Sequence, residues 1–286
     1  MLNISDARNN KELFTSLFNR YAVYAPYTLS LNEHLFDKYL ASYKSDAENI
    51  IWIGEKGPEH GIIHIGKYDK NGIVYMLFAD SNQLAAELLC AAEKWCADNK
   101  IVKLLAYLGY PSPYQYILHG SEAYLWAGNY HANNAFNKAG YDLDLDVLVM
   151  SMKLSAEKHG FDPEVAVSDI DISKEVTRDD ELALAGRFVA KSGGKWVGHC
   201  GFHYLKAISA QIKRKTGQID IWLNNEYHGA GLAKALAALT HHELYNLGVE
   251  RVMLATNQAL FRAVQFYEKT GYTTEPIRAY SYSKML

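Results

Sequence analysis

The run Ile219-Asp220-Ile221-Trp222-Leu223, followed after a short polar stretch by His228-Gly229-Ala230-Gly231-Leu232-Ala233, decides how this chain is read. Ile219, Ile221 and Leu223 alternate with Asp220, Trp222 and Asn224, the period of two of a strand with unlike faces. Leu232, Leu236 and Leu239 then recur at helical spacing as far as Gly248, which is placed to end a helix. A strand, a glycine turn and a helix N-terminus follow in order. Two small residues let the backbone approach a bound group, while free N–H groups and the positive dipole end favour an anion. The turn reads as a phosphate cradle, although ordinary turns before helices share this spelling.

The sequence downstream adds a second sign. Arg251 to Thr256 reads as a strand, and Ala263 to Tyr272 as a short helix closed by Gly271. The order resembles the GNAT superfamily of N-acetyltransferases. That family's phosphate-loop pattern, Gln/Arg-x-x-Gly-x-Gly/Ala, stands here as His228-Gly229-Ala230-Gly231-Leu232-Ala233. Its later ending, an alanine and then tyrosine-glutamate-lysine-x-glycine-aromatic, stands as Ala263 and Tyr267 to Tyr272. Two departures are His228, where glutamine or arginine is usual, and Leu260, where asparagine is common. Asn257, one turn earlier, is the candidate stand-in.

The resemblance implies acetyl-CoA as co-substrate, held at His228, Gly229, Ala230, Gly231, Leu232 and Ala233, with Asn257 nearby. It also implies that backbone groups of Ile221, Trp222 and Leu223 pair with the pantetheine arm, a Leu223 N–H facing the thioester oxygen. It assigns Tyr267 the protonation of the departing thiolate. A phenol, of ordinary pKa about 10, is protonated at neutral pH and can serve. The base is not specified: Asp220 on the strand, Glu226 just past it and His203 on the preceding strand are the candidates, and a bound water is the alternative. Each of the three also fits a solvated or structural role.

At 286 residues the chain suits two domains, each able to bury a core. The N-terminal half repeats the organising stretch without its glycines. A helix from about Gln83 to Asp98 precedes the apolar run Ile101 to Tyr107, and setting Ile101 against Val249 gives a shift of 249 − 101 = 148. Under it His228, Gly229 and Gly231 fall on Asp80, Ser81 and Gln83, a charge and side chains where a phosphate would need space. At a shift of 131, Tyr267 falls on Phe136, which lacks the hydroxyl. The expected fold is therefore α/β in the α+β sense: two GNAT-like domains, each a mixed, mostly antiparallel sheet flanked by helices. Residues 1–155 form a degenerate copy without CoA, and 156–286 the acetyl-CoA-binding copy.

Two helices are expected at 12–24 and 31–44, a meander at 49–55, 60–68 and 72–79, and strands at 147–153, 165–172, 187–191 and 195–204. Residues 178–185 read as the one helix early in the second half, and 277–285 as an edge strand. The insertion Leu108 to Tyr130 is conspicuously aromatic, with Tyr110, Tyr114, Tyr116, Tyr124, Trp126 and Tyr130. It lines a substrate cleft or packs an irregular loop.

Net charge is −3, with halves of −4 and +1 on either side of Ser155, so neither half is built to hold nucleic acid by charge. No apolar run reaches membrane-spanning length, no leader is visible, and Cys90, Cys96 and Cys200 have no framework or metal-ligand spacing. A cytoplasmic protein is expected. His199 and His203 share a strand face, but four residues of strand rise separate them by about 13 Å, too far to ligate one ion. His241 and His242 diverge on a helix, so no metal is expected. Lys213-Arg214-Lys215 reads as a solvated connection, or more sharply as a contact for a nucleotide 3′-phosphate or an acidic partner. The reading is an acetyl-CoA-dependent N-acetyltransferase acting on a small-molecule or peptide amine. A non-catalytic acyl-CoA-binding module is the alternative. A tRNA-dependent aminoacyltransferase of the same tandem fold is disfavoured by the charge balance and by Gly229 and Gly231.

Overall fold

The computed structural model describes residues 2–42, 49–68, 70–107, 112–155 and 169–286. The chain divides into two units. The first comprises Met1–Leu148, Asn257–Ala259 and Pro276–Leu286, and the second Val149–Thr256 and Leu260–Glu275. Residues 156–164, where the sequence breaks its regular pattern, lie outside the described residues, as do Leu108, Tyr110 and residues 165–168 of an expected strand.

In the first unit, β1 (Asn3–Asp6) leads to α1 (Lys11–Ala22), opened by the Asn10 side chain on the Leu13 N–H at 3.2 Å. Its Phe14, Leu17 and Phe18 recur at helical spacing and are buried. The second expected helix is shorter than its pattern: α2 (Glu33–Leu35) passes into a π-helical turn, Phe36–Ala41. The expected meander is present as β2 (Asn49–Lys56), β3 (Glu59–Tyr68) and β4 (Asn71–Ala79), antiparallel neighbours with a bulge at Tyr75. From there α3 (Asn82–Asp98) crosses to β5 (Lys103–Ala106), parallel to β4. The unit continues through β6 (Leu125–Trp126), α4 (Tyr130–Lys138) and the part of β7 (Asp142–Lys153) up to Leu148.

The second unit begins with β8 (Ile170–Asp179), β9 (Leu184–Ser192) and β10 (Lys195–Tyr204), an antiparallel run. The helix expected at 178–185 does not form. Asp180 accepts the N–H groups of Leu182 and Ala183 at 2.9 and 3.1 Å, which ties a tight turn between two strands. A helix the sequence reading passed over, α5 (Lys206–Ile212), closes at Lys213 in the left-handed region. Next come β11 (Thr216–Leu223), α6 (Leu232–Asn246), β12 (Arg251–Asn257) and α7 (Phe261–Lys269). The sheet order here is β12-β11-β10-β9-β8, with α6 burying Leu232, Leu236 and Leu244.

The last strand, β13 (Thr273–Met285), is not at an edge as its alternation suggested. Within the first unit it lies between β5 and β7, with Tyr282 opposite Ala106 and Ala279, Tyr282, Ser281 and Ser283 buried. A period of two fixes which side chains share a face and says nothing about how many neighbours a strand has.

The internal repeat is visible in the packing. A side chain at Gly72 would meet Cys96 and Ile101, and one at Gly217 would meet Leu244 and Val249. The partners differ by 244 − 96 = 148 and 249 − 101 = 148, the glycines by 217 − 72 = 145. Helix and following strand thus keep the expected shift, and the second unit carries a longer strand-to-helix turn.

Candidate active site

The strand β11 pairs in parallel with β12 only from Thr216 to Gln218, against Arg251 to Met253. Beyond Gln218 the two strands separate and leave a gap. Asn224 donates its N–H to Val197 O on the β10 side at 2.9 Å. Strand alternation therefore turns the N–H and C=O groups of Leu223 and Ile221 the other way, into the gap. Trp222 directs its backbone groups toward β10 and its indole outward.

The turn after β11 runs from Asn224 to Ala230 and includes a 3-10 turn at Asn225–Tyr227. Gly229 and Gly231 have φ of +83° and +85°, values that strain any residue with a Cβ. Gly231 is the N-cap of α6 and supplies no side chain to it. The first N–H groups, at Leu232 and Ala233 onward, are left without a side-chain partner, with no acidic residue in the first turn. A Cβ at either glycine would meet open space, so the helix start is accessible as well as uncapped. His228 and Glu226 are exposed on the same turn. Asn257 ends β12, its Oδ1 accepting the Ala259 N–H at 2.9 Å. Leu260, where the family pattern favours asparagine, is the N-cap of α7.

On the face of β11 that bears Asp220 and Trp222, the structure assembles a cluster that the sequence had taken apart. His203 Nε2 lies 2.7 Å from Asp220 Oδ1, and His199 Nε2 lies 3.2 Å from Asp220 Oδ2. Gly201, opposite Asp220, makes this possible: a Cβ there would stand 2.1 Å from Asp220 Oδ1. Burial alone would raise the Asp220 carboxyl, but the hydrogen bonds from His199 and His203 outweigh it and hold the group well below the usual carboxylate range. Asp220 is thus a stable anion and a weak base. His199 Nδ1 is buried without a hydrogen-bond partner. With Nε2–H donated to Asp220, Nδ1 carries the lone pair. Beside the cluster, Trp196 and Trp222 stack at 4.4 Å, with 41% and 47% of their surfaces exposed.

Tyr267 is the buried residue of α7 and meets the rings of Phe266 and Tyr272 at 5.4 and 5.8 Å. Burial raises the Tyr272 phenol, so its hydroxyl stays protonated, and it shares a hydrogen bond of 2.7 Å with His241 Nε2. The pairing of Tyr272 with His241 was not read from sequence, where Tyr272 stood as the aromatic end of the motif and His241 as a residue diverging from His242, since a buried phenol–imidazole pair has no linear spacing. Cys200 is buried and its thiol is pushed up by burial, as suits a core residue. Among the described residues no group of three or more His, Cys, Asp or Glu side chains is placed to hold a metal ion. No helix among them is long and apolar enough to cross a membrane.

The same positions in the first unit are arranged differently. Between β4 and the α3 N-cap there is only Asp80. Ser81 caps α3 by accepting the Leu84 N–H at 3.2 Å and donates to Glu59 at 2.7 Å. Asp80 accepts from Arg20, Tyr21 and the His60 N–H. The gap between β4 and β5 is bridged: Tyr107 Oη receives the Leu77 N–H at 2.6 Å and donates to Leu77 O at 3.1 Å. Allowing for the bulge at Tyr75, Leu77 holds the place of Ile221, and the shift of 148 sets Tyr107 on Ala255. Of the aromatic insertion, Tyr114 and Tyr116 are buried in packing, while Tyr124, Trp126 and Tyr130 line a cavity.

The model of the acetyltransferase (GNAT) family matches residues 155–272. A mycothiol acetyltransferase of Thermobispora bispora is 34% identical over 93 residues, 31% of this chain and 30% of that protein. The chain therefore aligns with less than a third of that relative's length. Among solved structures, a tandem GNAT protein from the clavulanic acid biosynthesis pathway superposes with a TM-score of 0.65 at 13% identity, covering 100% of this chain and 98% of its own. A GCN5-related glucosamine N-acetyltransferase region of a fungal multi-domain β-N-acetylglucosaminidase gives 0.69 at 12% identity, over 99% of this chain and 38% of that one. At such identities these two likenesses are of fold.

Proposed function

Residues 155–272 are a domain of the acetyltransferase (GNAT) family in a chain with the tandem GNAT fold, and from that premise we propose that the protein transfers an acetyl group from acetyl-CoA to a primary amine. The observation that carries this reading is the uncapped start of α6 behind two left-handed glycines, beside the gap where β11 leaves β12. The residues fit the co-substrate: N–H groups from Gly229 to Ala233 suit a pyrophosphate, and the gap-side groups of Ile221 and Leu223 suit an amide-bearing arm.

The N–H of Leu223 polarises the thioester carbonyl. Asp220 anchors His199 and His203, and the imidazoles rather than the carboxylate take the proton of the acceptor ammonium. Of the three candidate bases, Asp220 becomes the positioning group, His203 remains a proton acceptor with His199 beside it, and exposed Glu226 has no assigned step. Tyr267 supplies the proton that the thiolate requires. In this reading residues 156–286 are the acetyl-CoA-binding domain and residues 1–155 the degenerate one.

The stacked pair Trp196 and Trp222, on the face of Asp220, suits the apolar face of a sugar ring. The likeness in fold to a region named for glucosamine acetylation makes amino sugars the first acceptors to try. The test is free-thiol release from acetyl-CoA over a panel of amines headed by glucosamine. Thiol release with at least one amine, together with an N-acetylated product, is expected. Saturable acetyl-CoA binding without thiol release from any amine would leave the non-catalytic module in its place.

A further inference from the structure

In the first unit the bridged gap opens onto a cavity of about 340 Å³, within the range of small-molecule sites. Its walls are aromatic: Tyr107 and Phe78 at the floor, Trp126 and Tyr124 at the side. At the mouth Tyr24 and Tyr130 are 72% and 76% exposed, rings held in water beside an apolar hollow. No Asp, Glu, Lys or Arg is among the lining residues, so a charged ligand would lose its hydration without a counter-charge.

The lining also carries the hydroxyls of Tyr24, Tyr124 and Tyr130 and the Trp126 indole N–H, and among its groups His119 presents a ring-nitrogen acceptor. His119 Nδ1 lies 2.8 Å from Pro26 O, a carbonyl that only accepts, so Nδ1 carries the proton and Nε2 is left as an acceptor. Burial lowers the His119 pKa to about 4, which keeps the ring neutral. Asn129 is held to the backbone, its Nδ2 on Leu77 O at 2.9 Å and its Oδ1 accepting the Ala132 N–H. Tyr107 Oη is likewise occupied by both backbone groups of Leu77, the groups that an extended amide arm would need.

We infer that the gap between β4 and β5 has been rebuilt as a binding pocket for a small, uncharged aromatic molecule with one hydrogen-bond donor, of the indole, phenol or arylamine class. The flat ligand stacks among the rings and donates to His119, while Tyr107 excludes a thioester arm. This site lies within the first unit, and its assignment does not rest on the acetyl-transfer reading.

The test is calorimetric titration of the full chain with indole and with 1-methylindole, which has the same ring without the donor. Wild type is expected to bind indole at one saturable site, about 10-fold tighter than the methylated ring. His119→Phe should erase that preference. Tyr130→Ala, at an exposed position that leaves folding intact, should weaken indole about 3-fold by removing one ring of the mouth. No saturable binding, or binding that neither substitution changes, would overturn the assignment. Competitive displacement of indole by acetyl-CoA would overturn it too, by making the cavity a thioester site.

Discussion

The two long helices of this chain begin in opposite ways. Ser81 caps α3, a single residue after its strand, with Asp80 and Glu59 alongside. Gly231 precedes α6 after a turn of seven residues, Asn224 to Ala230, and caps nothing. Packing is shared, since Gly72 and Gly217 sit against matching partners, yet the ligand-facing ends diverge completely. A fold is conserved by its buried contacts. The capacity to hold an anion resides in a few backbone groups that a cap or a shorter turn removes.

The most severe way to break the contrast is Gly231→Glu, which gives the second unit a side chain where φ is +85° and a negative charge where a pyrophosphate is proposed. Strain and like-charge repulsion together should weaken acetyl-CoA binding on the order of 1,000-fold by calorimetry. Unaltered affinity would refute the cradle. Tyr267→Phe installs the residue type of Phe136 and should lower kcat about 100-fold while acetyl-CoA affinity stays within a factor of two. Unchanged turnover would remove Tyr267 as the acid.

Ala255→Tyr transplants the Tyr107 bridge into the second unit. If the gap there is the path of the pantetheine arm, acetyl-CoA should bind about 10-fold more weakly, with the melting temperature retained as the control. Full affinity in that variant would separate gap from binding. The smallest effect concerns acid stability and belongs to the first unit. Burial lowers the His64 pKa to about 3 and that of His119 to about 4, against 6.5 in an unfolded chain. Both are neutral when folded, so their contribution is complete above pH 6.5 and declines as pH falls toward 4 and 3. Each costs about 1.4 kcal/mol per pH unit in that window. Urea unfolding at pH 6.5 and 5 measures it, and His119→Phe should halve the difference.

The meander, the long helices and the glycine turn were legible because each rests on local periodicity or on a backbone conformation that few residues adopt. The repeat was legible too, through Ile101 and Val249. The helix expected at 178–185 was not there, since Asp180 ties its turn through its own side chain while Leu182 and Ala183 look like helix formers. His199 and His203 were judged by their distance from each other along one strand. What mattered was the residue across from them, Asp220, and the missing side chain at Gly201 that admits it. Spacing along a strand does not report what the neighbouring strand inserts. Tyr107 was equally hidden, as an apolar strand ends there and the hydroxyl's partners are thirty residues away.

The place of β13 bears on how the protein is made. Residues 276–286 complete the sheet of the unit that begins at the other end of the chain. A ribosome therefore has to release nearly the whole second unit before the first can close. Until then the β5 edge stands open, a template for mispairing with another nascent chain. The second unit, by contrast, has its own strands β8 to β12 in hand as soon as they emerge. A fragment ending at residue 155 would present that open edge permanently.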